Sequence, residues 1–200
     1  MVYYNDKNHT YFVDGIQVPS VTGLLHFIYP DKYKGISSEV LSNKASYGTE
    51  VHELIEKVNN DNVINPLDAY SYKCSDPIMT ESLISYINLK NKYKFKPLRQ
   101  ELIVYNRYVA GRFDLLSEMN QKKCLMDYKT TYSLDRDYLS WQLSIYNFLN
   151  QEDKADELYA IWVPKRKETE LVQIDFKTDE EIVKLIKDYY LQEKNQVIEL

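Results

Sequence analysis

The segment YVAGRFDLLSEMNQKKCLMDYKT, residues 108–130, carries the strongest structural pattern in the sequence. Two apolar runs, at 108–117 and 122–130, flank a polar stretch from Glu118 to Gln121, which is typical of antiparallel strands joined by a short turn. Asp114 precedes Asp127 by thirteen residues, a separation that fits neighbouring strands. Alternate residues of a strand share one face, so Asp127 and Lys129 point the same way. The pattern predicts carboxylates and an ammonium group at one place.

Two aspartates beside a lysine indicate a divalent-metal site. Carboxylate oxygens favour Mg²⁺ or Mn²⁺, which retain water ligands and activate one of them toward a phosphodiester. A neighbouring lysine orients that water or stabilises charge on the attacked phosphate. An isolated Asp-x-Lys is more often an exposed ion pair on a strand, so the interpretation depends on the rest of the sequence.

Three further features accompany this segment. The stretch ASYGTEVHELIEKV (45–58) predicts a helix with Gly48 and His52 on one face, and Glu101 opens the apolar run ELIVY. The stretch YLSWQLSIYNFL (138–149) predicts a helix with Gln142 and Tyr146 on one face. Each residue has a structural alternative: His52 as an exposed helix residue, Glu101 as a solvated strand end and Tyr146 as core. A buried Gln142 would need hydrogen-bond partners.

The order GxxxH, Glu, GxxD, DxK and QxxxY resembles the PD-(D/E)XK nuclease superfamily, and within it the RecB-like and phage (lambda-type) exonuclease branch. The motifs extend over about half of the chain. The resemblance implies an α/β fold with a central mixed β-sheet flanked by helices, the restriction-endonuclease-like core. It implies a hydrolase, a Mg²⁺-dependent deoxyribonuclease that acts as an exonuclease at double-stranded DNA ends in phage recombination or DNA processing.

The resemblance also implies roles for individual residues. The metal ligands would be Asp114, Asp127, the Tyr128 carbonyl, His52 and Glu101. The catalytic residues would be Lys129 together with Asp114, Asp127 and Glu101. The DNA-binding residues would include Gln142, Tyr146 and Arg112. Because the chain has both His52 and Glu101, their relative roles stay open.

The resemblance also implies partners, namely double-stranded DNA, a single-strand annealing protein and further copies of the chain.

Several alternatives to an exonuclease remain. The enzymatic alternatives are a structure-specific endonuclease and the nuclease module of a helicase–nuclease complex. A catalytically inactive DNA-binding or assembly module is the alternative of another class, and its expected mark is loss of an acidic ligand or of the lysine. The polarity of digestion and the number of metal ions stay open.

The charge distribution bears on nucleic-acid binding. The net charge is −5, which disfavours uniform binding to phosphate. Cations concentrate at Lys90, Lys92 and Lys94 and again at residues 165–167, and we predict that the first group contacts DNA. Either cluster has a plain alternative as a solvated face. Cys74 and Cys124 are too few for an iron–sulfur cluster, so we expect reduced thiols.

The remaining sequence predicts one nuclease domain, 1–200, with an N-terminal hairpin and lid-like segment at 1–44 and a core with a C-terminal helix at 45–200. The hairpin turns at Asp14-Gly15, and residues 31–44 and 58–76 are predicted loops. Helix starts are predicted at Ser20, Asp76 and Thr178. Further strands are predicted at 99–106, 157–163 and 169–176, and a helix at 136–150. We interpret His9 and His26 as structural. Without a signal sequence or an apolar membrane run, we expect a cytoplasmic protein in a bacterial host cell.

Overall fold

The computed structural model describes residues 1–5 and 8–200. The strands in these ranges are β1 (Val2–Asn5), β2 (Thr10–Val13), β3 (Ile16–Val18), β4 (Lys96–Tyr105), β5 (Ala110–Met119), β6 (Lys122–Lys129), β7 (Glu157–Trp162) and β8 (Glu170–Ile174). The α-helices are α1 (Val21–Ile28), α2 (Ser38–Asn60), α3 (Pro77–Tyr93), α4 (Arg136–Leu149) and α5 (Asp179–Lys194). A 3-10 helix covers Pro66–Ser71.

A mixed five-stranded sheet forms the centre of the described chain, with the strand order β4-β5-β6-β7-β8. Neighbouring strands are antiparallel except for β6 and β7, which are parallel because α4 carries the chain across between them. The β5–β6 turn consists of Asn120 and Gln121, with φ of 53° and 62°. The register pairs Leu115 with Met126, which places Asp114 opposite Asp127. The predicted antiparallel pair is confirmed.

Helices cover both faces of this sheet. One face carries α1, α4 and α5, whose buried residues include Leu25, Leu143 and Ile186. The other face carries α2, the 3-10 helix and α3, with Ile55 and Leu83 in its core. Apolar contact on both faces explains the buried runs in β5 and β6. The predicted α/β fold, a central mixed sheet flanked by helices, is confirmed at this level.

The N-terminal segment forms a second, antiparallel sheet, β1-β2-β3. Its β2–β3 turn is at Asp14-Gly15, with φ of 50° and 82°, as the sequence predicts. Tyr11 and Val13 of this sheet pack against Ala110 at the start of β5. The Ala110 N–H also donates to the Pro19 carbonyl at 3.2 Å. These contacts fix the small sheet beside the end of the central sheet.

Two of the predicted loops are wrong in part. Helix α2 begins at Ser38, inside the predicted 31–44 loop, because the Ser37 side chain accepts a hydrogen bond from the Val40 N–H at 3.3 Å. The predicted 58–76 loop contains the end of α2 and the 3-10 helix, whose Asn65 cap accepts from the Leu67 N–H.

The predicted helix starts are confirmed. Ser20 and Asp76 cap α1 and α3, and Thr178 forms a capping box with Glu181. In the part of the chain that the structure describes, no helix has the length and apolar character needed to cross a membrane.

Candidate metal and nucleic-acid site

The central strands β5 and β6 place two aspartates and a lysine together. Asp127 Oδ2 lies 2.5 Å from Lys129 Nζ, and the Asp127 side chain is only 3% exposed. Asp114 Oδ2 accepts a hydrogen bond from the Tyr128 N–H at 2.8 Å, which fixes its carboxylate against β6. The predicted convergence of these groups is confirmed as a geometry.

Helix α2 and strand β4 bring His52 and Glu101 to the same place. One ligand atom from each of His52, Glu101 and Asp114 lies within 4.8 Å of the other two. His52 Nδ1 is 3.6 Å from Asp114 Oδ2, and its ring meets the Tyr128 ring edge-on at a centroid distance of 5.3 Å. Sequence positions far apart therefore supply one compact set of nitrogen and oxygen donors.

Gly48 controls how closely α2 approaches the sheet. A Cβ at this position would lie 3.3 Å from the Thr130 hydroxyl oxygen, just after β6. A larger residue at position 48 would therefore require Thr130 or α2 to give way by a few tenths of an ångström. The close approach predicted from the Gly48–His52 spacing is confirmed, and Thr130 is the residue approached.

Glu101 has an unusual backbone conformation. Its φ is 49°, although it lies inside β4, and glutamate seldom adopts the left-handed region. Its Oε2 is held by Arg112 Nε at 2.9 Å. Strained backbone of this kind concentrates at functional sites and persists only where surrounding contacts enforce it. A solvated strand end would not need this geometry.

Burial and mutual repulsion disfavour the charged form of the carboxylates in the site. Burial, together with repulsion from Asp114, raises the pKa of Glu101 to about 7 against the opposing effects of Arg112 and His52. Burial raises the pKa of Asp127 to about 6, although Lys129 opposes the change. Burial lowers the pKa of the Lys129 ammonium, but attraction to Asp127 and Asp114 exceeds this effect and the net change is a rise. A bound cation would relieve the repulsion between the carboxylates.

The donor set fits a hard divalent cation. Asp127 Oδ2 is buried and is paired with the Lys129 ammonium at 2.5 Å. Oxygen donors with one imidazole suit Mg²⁺ or Mn²⁺, and no cysteine is in the cluster.

The cluster opens into a cavity of about 910 Å³ under the N-terminal sheet, α1 and the segment before α2. Arg112 lies over the Tyr4 ring at 5.4 Å, and the Tyr4 hydroxyl is 2.7 Å from His9 Nδ1. His9 and His26, expected to be structural, both line this cavity. The sequence did not predict this position, because both histidines lie far from the five motifs in sequence. Their place in the cavity depends on how the small sheet packs.

The segment between α1 and α2 also lines the cavity, and its Lys32 and Tyr33 fall in the predicted 31–44 loop. Lys32 Nζ lies 4.0 Å from the centre of the Tyr138 ring and pairs with Asp135 at the start of α4. Tyr29 donates a hydrogen bond to Asp137. Lys32 is therefore a cation facing the site, anchored by α4.

Gln142 and Tyr146 occupy different positions relative to the cavity. Tyr146 lines the cavity and is otherwise buried in the core. This position is compatible with both the predicted DNA-binding role and the core alternative. A Cβ on Gly111 would lie 2.6 Å from the Tyr146 ring, so only glycine permits this approach. Gln142 Oε1 is buried without a hydrogen-bond partner in the described residues. Burial raises the pKa of the Tyr146 hydroxyl well above its usual value.

The lysines predicted to contact DNA do not line the cavity. Lys90 is buried in α3, its ammonium has no hydrogen-bond partner among the described residues, and burial lowers its pKa. Lys92 and Lys94 are exposed at the end of α3 and do not line the cavity. Burial of Lys90 differs from the prediction of a surface cluster, because the helix turns that side chain toward the core.

No family model matches the chain, and no curated protein matches it. Among solved structures, the crystal structure of SSO0001 is similar, with a TM-score of 0.51 and 17% sequence identity. The match covers 93% of this chain and 80% of that one. At this identity the similarity concerns the fold alone.

Proposed function

We propose that the chain is a metal-dependent deoxyribonuclease of the PD-(D/E)XK type. The observation that carries the proposal is the cluster of His52, Glu101 and Asp114 donor atoms within 4.8 Å of one another beside the Asp127–Lys129 pair. Mg²⁺ or Mn²⁺ held there would activate water and neutralise charge on a phosphodiester. The Tyr128 carbonyl is proposed as a further oxygen ligand.

The protein groups have distinct proposed roles. Asp114 and Asp127 would bind the cation, while His52 and Glu101 would complete or orient its ligand set. The Lys129 ammonium would orient the attacking water and stabilise negative charge on the phosphate. Asp127 holds this ammonium in place at 2.5 Å, so its position does not depend on the substrate. Glu101, held by Arg112, links the metal ligands to a cation that faces the cavity.

The covered cavity favours an exonuclease over an endonuclease. Residues of the N-terminal sheet and of the segment before α2 line the same cavity as the metal ligands, and Arg112, Lys32 and His9 are cationic or imidazole groups in that lining. A strand end enters a recess more readily than a continuous duplex does. We therefore propose double-stranded DNA ends as substrate, in phage recombination or DNA processing. A single-strand annealing protein, self-association and a cytoplasmic location in a bacterial host cell belong to the same proposal.

The test compares end-labelled linear duplex with covalently closed circular DNA. We expect Mg²⁺ or Mn²⁺ to support degradation of the linear form, Ca²⁺ to bind without efficient turnover, and closed circles to stay intact. Lys129→Ala, purified in parallel, controls for contaminating nucleases.

Each other outcome has a definite meaning. Hydrolysis that persists in excess EDTA would remove the metal from the proposal. Efficient nicking of closed circles would favour the endonuclease alternative. Metal binding without hydrolysis of any of these DNAs would favour an inactive DNA-binding module.

A further inference from the structure

A second groove of about 480 Å³ lies beside the contact between Gly48 and Thr130. The first half of α2, the segment after β6 and the loop after β7 form its walls. Thr130 directly follows Lys129, and Tyr47 directly precedes Gly48. The groove and the metal ligands therefore flank the same junction of α2 and β6.

The groove concentrates positive charge in an acidic chain. Lys44, Lys165 and Lys167 line it, while the net charge of the protein is −5. Lys165 Nζ lies 3.7 Å from the centre of the Tyr47 ring, and its contact with Asp76 is long, at 3.8 Å. The Lys165 side chain is 49% exposed, so this weak pairing leaves its ammonium accessible to an anionic ligand.

The groove also presents an aromatic surface. Tyr132 is 86% exposed, and Lys167 Nζ lies 5.6 Å from the centre of its ring. The chain around Tyr132 is anchored, because Trp162 Nε1–H donates to the Thr131 carbonyl at 2.7 Å and Thr131 Oγ1–H donates to the Ser133 carbonyl at 2.9 Å. The tyrosine is thus exposed on a fixed backbone, which is the arrangement of a stacking platform.

We propose that this groove binds a single-stranded polynucleotide, with a base stacked on Tyr132 and phosphates at Lys44, Lys165 and Lys167. Lysines beside an exposed ring match the chemistry of an unpaired strand, whose bases offer free faces and whose backbone is anionic. Paired bases inside a duplex do not offer those faces to a side chain. The inference rests on the proposed function in that the bound strand would come from the DNA substrate, but binding itself requires no hydrolysis.

The test measures fluorescence anisotropy of a labelled oligothymidylate of about twelve nucleotides, a length within the usual range for such grooves, in EDTA. We expect Tyr132→Ala to weaken binding at least about fivefold and Tyr132→Phe to retain it, since stacking needs the ring and not the hydroxyl. Replacing Lys165 and Lys167 together by alanine should reduce the slope of log K against log salt by about 1.4. Tyr70→Ala and Lys187→Ala, at exposed positions elsewhere, are the matched controls.

The outcomes separate the groove from the nuclease. If Tyr132→Ala binds oligothymidylate as tightly as Tyr70→Ala does, the groove inference is overturned even when the enzyme degrades DNA. Equal losses of affinity for blunt duplex and oligothymidylate also overturn it, because the groove would then not select single strands. A selective loss in the groove variants supports the inference, even for a protein that hydrolyses no DNA in Mg²⁺.

Discussion

The buried carboxylates predict that the metal-free protein loses stability as the pH rises toward neutrality. The folded-state pKa of Asp127 is about 6, against an ordinary value of 3.8. The folded protein therefore binds this proton more tightly than the unfolded chain does. The resulting stabilisation is complete below about pH 4 and is lost as the pH rises through about 6. Two pKa units at 1.36 kcal/mol each correspond to about 3 kcal/mol in the free energy of unfolding.

The assay is chemical denaturation of the wild-type protein and Asp127→Asn, in EDTA, from about pH 3 to about pH 7, the interval that spans both pKa values. Differences between the two proteins cancel the titration of other groups. We expect the wild type to lose about 3 kcal/mol relative to the variant across this range. The wild type should also lose stability relative to Glu101→Gln as the pH rises, but at higher pH, since the pKa of Glu101 rises from 4.5 to about 7. Glu193→Gln, at an exposed position near the end of α5, is the control.

Adding Mg²⁺ or Mn²⁺ at neutral pH should restore much of the lost stability to the wild type. The ion binds the folded state and replaces the missing proton as the positive partner of the carboxylates. Asp127→Asn should gain less from the ion. Parallel curves of stability against pH for the wild type and Asp127→Asn would refute the reasoning, because burial would then not raise the pKa of this carboxyl group.

Two further predictions concern the site and its support. Lys129→Ala should bind Mn²⁺ in calorimetry but lose DNA hydrolysis, whereas Asp114→Ala should lose most of the heat of Mn²⁺ binding; equal Mn²⁺ binding by the two variants would contradict the assigned roles. Gly111→Ala should lower the free energy of unfolding by about 1–3 kcal/mol, because the new Cβ overlaps the Tyr146 ring at 2.6 Å. Gly23→Ala, where the added Cβ has space within α1, should be neutral or stabilising by up to about 1 kcal/mol, and equal losses in both glycine variants would contradict the steric explanation.

Local patterns predicted the parts of the fold that depend on neighbours in sequence. The β5–β6 pair follows from two apolar runs and a short polar turn, and the helix starts at Ser20, Asp76 and Thr178 follow from capping side chains. The start of α2 was missed because the Ser and Asn residues at 37–43 also favour loops. A serine that caps a helix and a serine in a loop differ in the tertiary packing of the residues after them, which local composition does not encode.

The site residues likewise divide into those that local patterns predict and those that tertiary packing places. Asp114, Asp127 and Lys129 were predictable because one hairpin and one alternation period fix them together. The positions of His9, His26 and Lys32 in the cavity depend on how the small sheet and α1 pack on the central sheet, and no local period encodes that packing. Lys90 was misjudged for the opposite reason. Its neighbours made a charged cluster in sequence, while the helical period turns it toward the core.

The structural alternative for Asp-x-Lys was an exposed ion pair on a strand, and the observed geometry argues against that alternative. An exposed pair would leave the carboxylate solvated, whereas Asp127 is 3% exposed with a pKa raised by burial. The left-handed backbone of Glu101 adds strain in the same cluster. Burial, repulsion and strain in one cluster each cost stability, and a bound cation that interacts with the same carboxylates would offset the first two together.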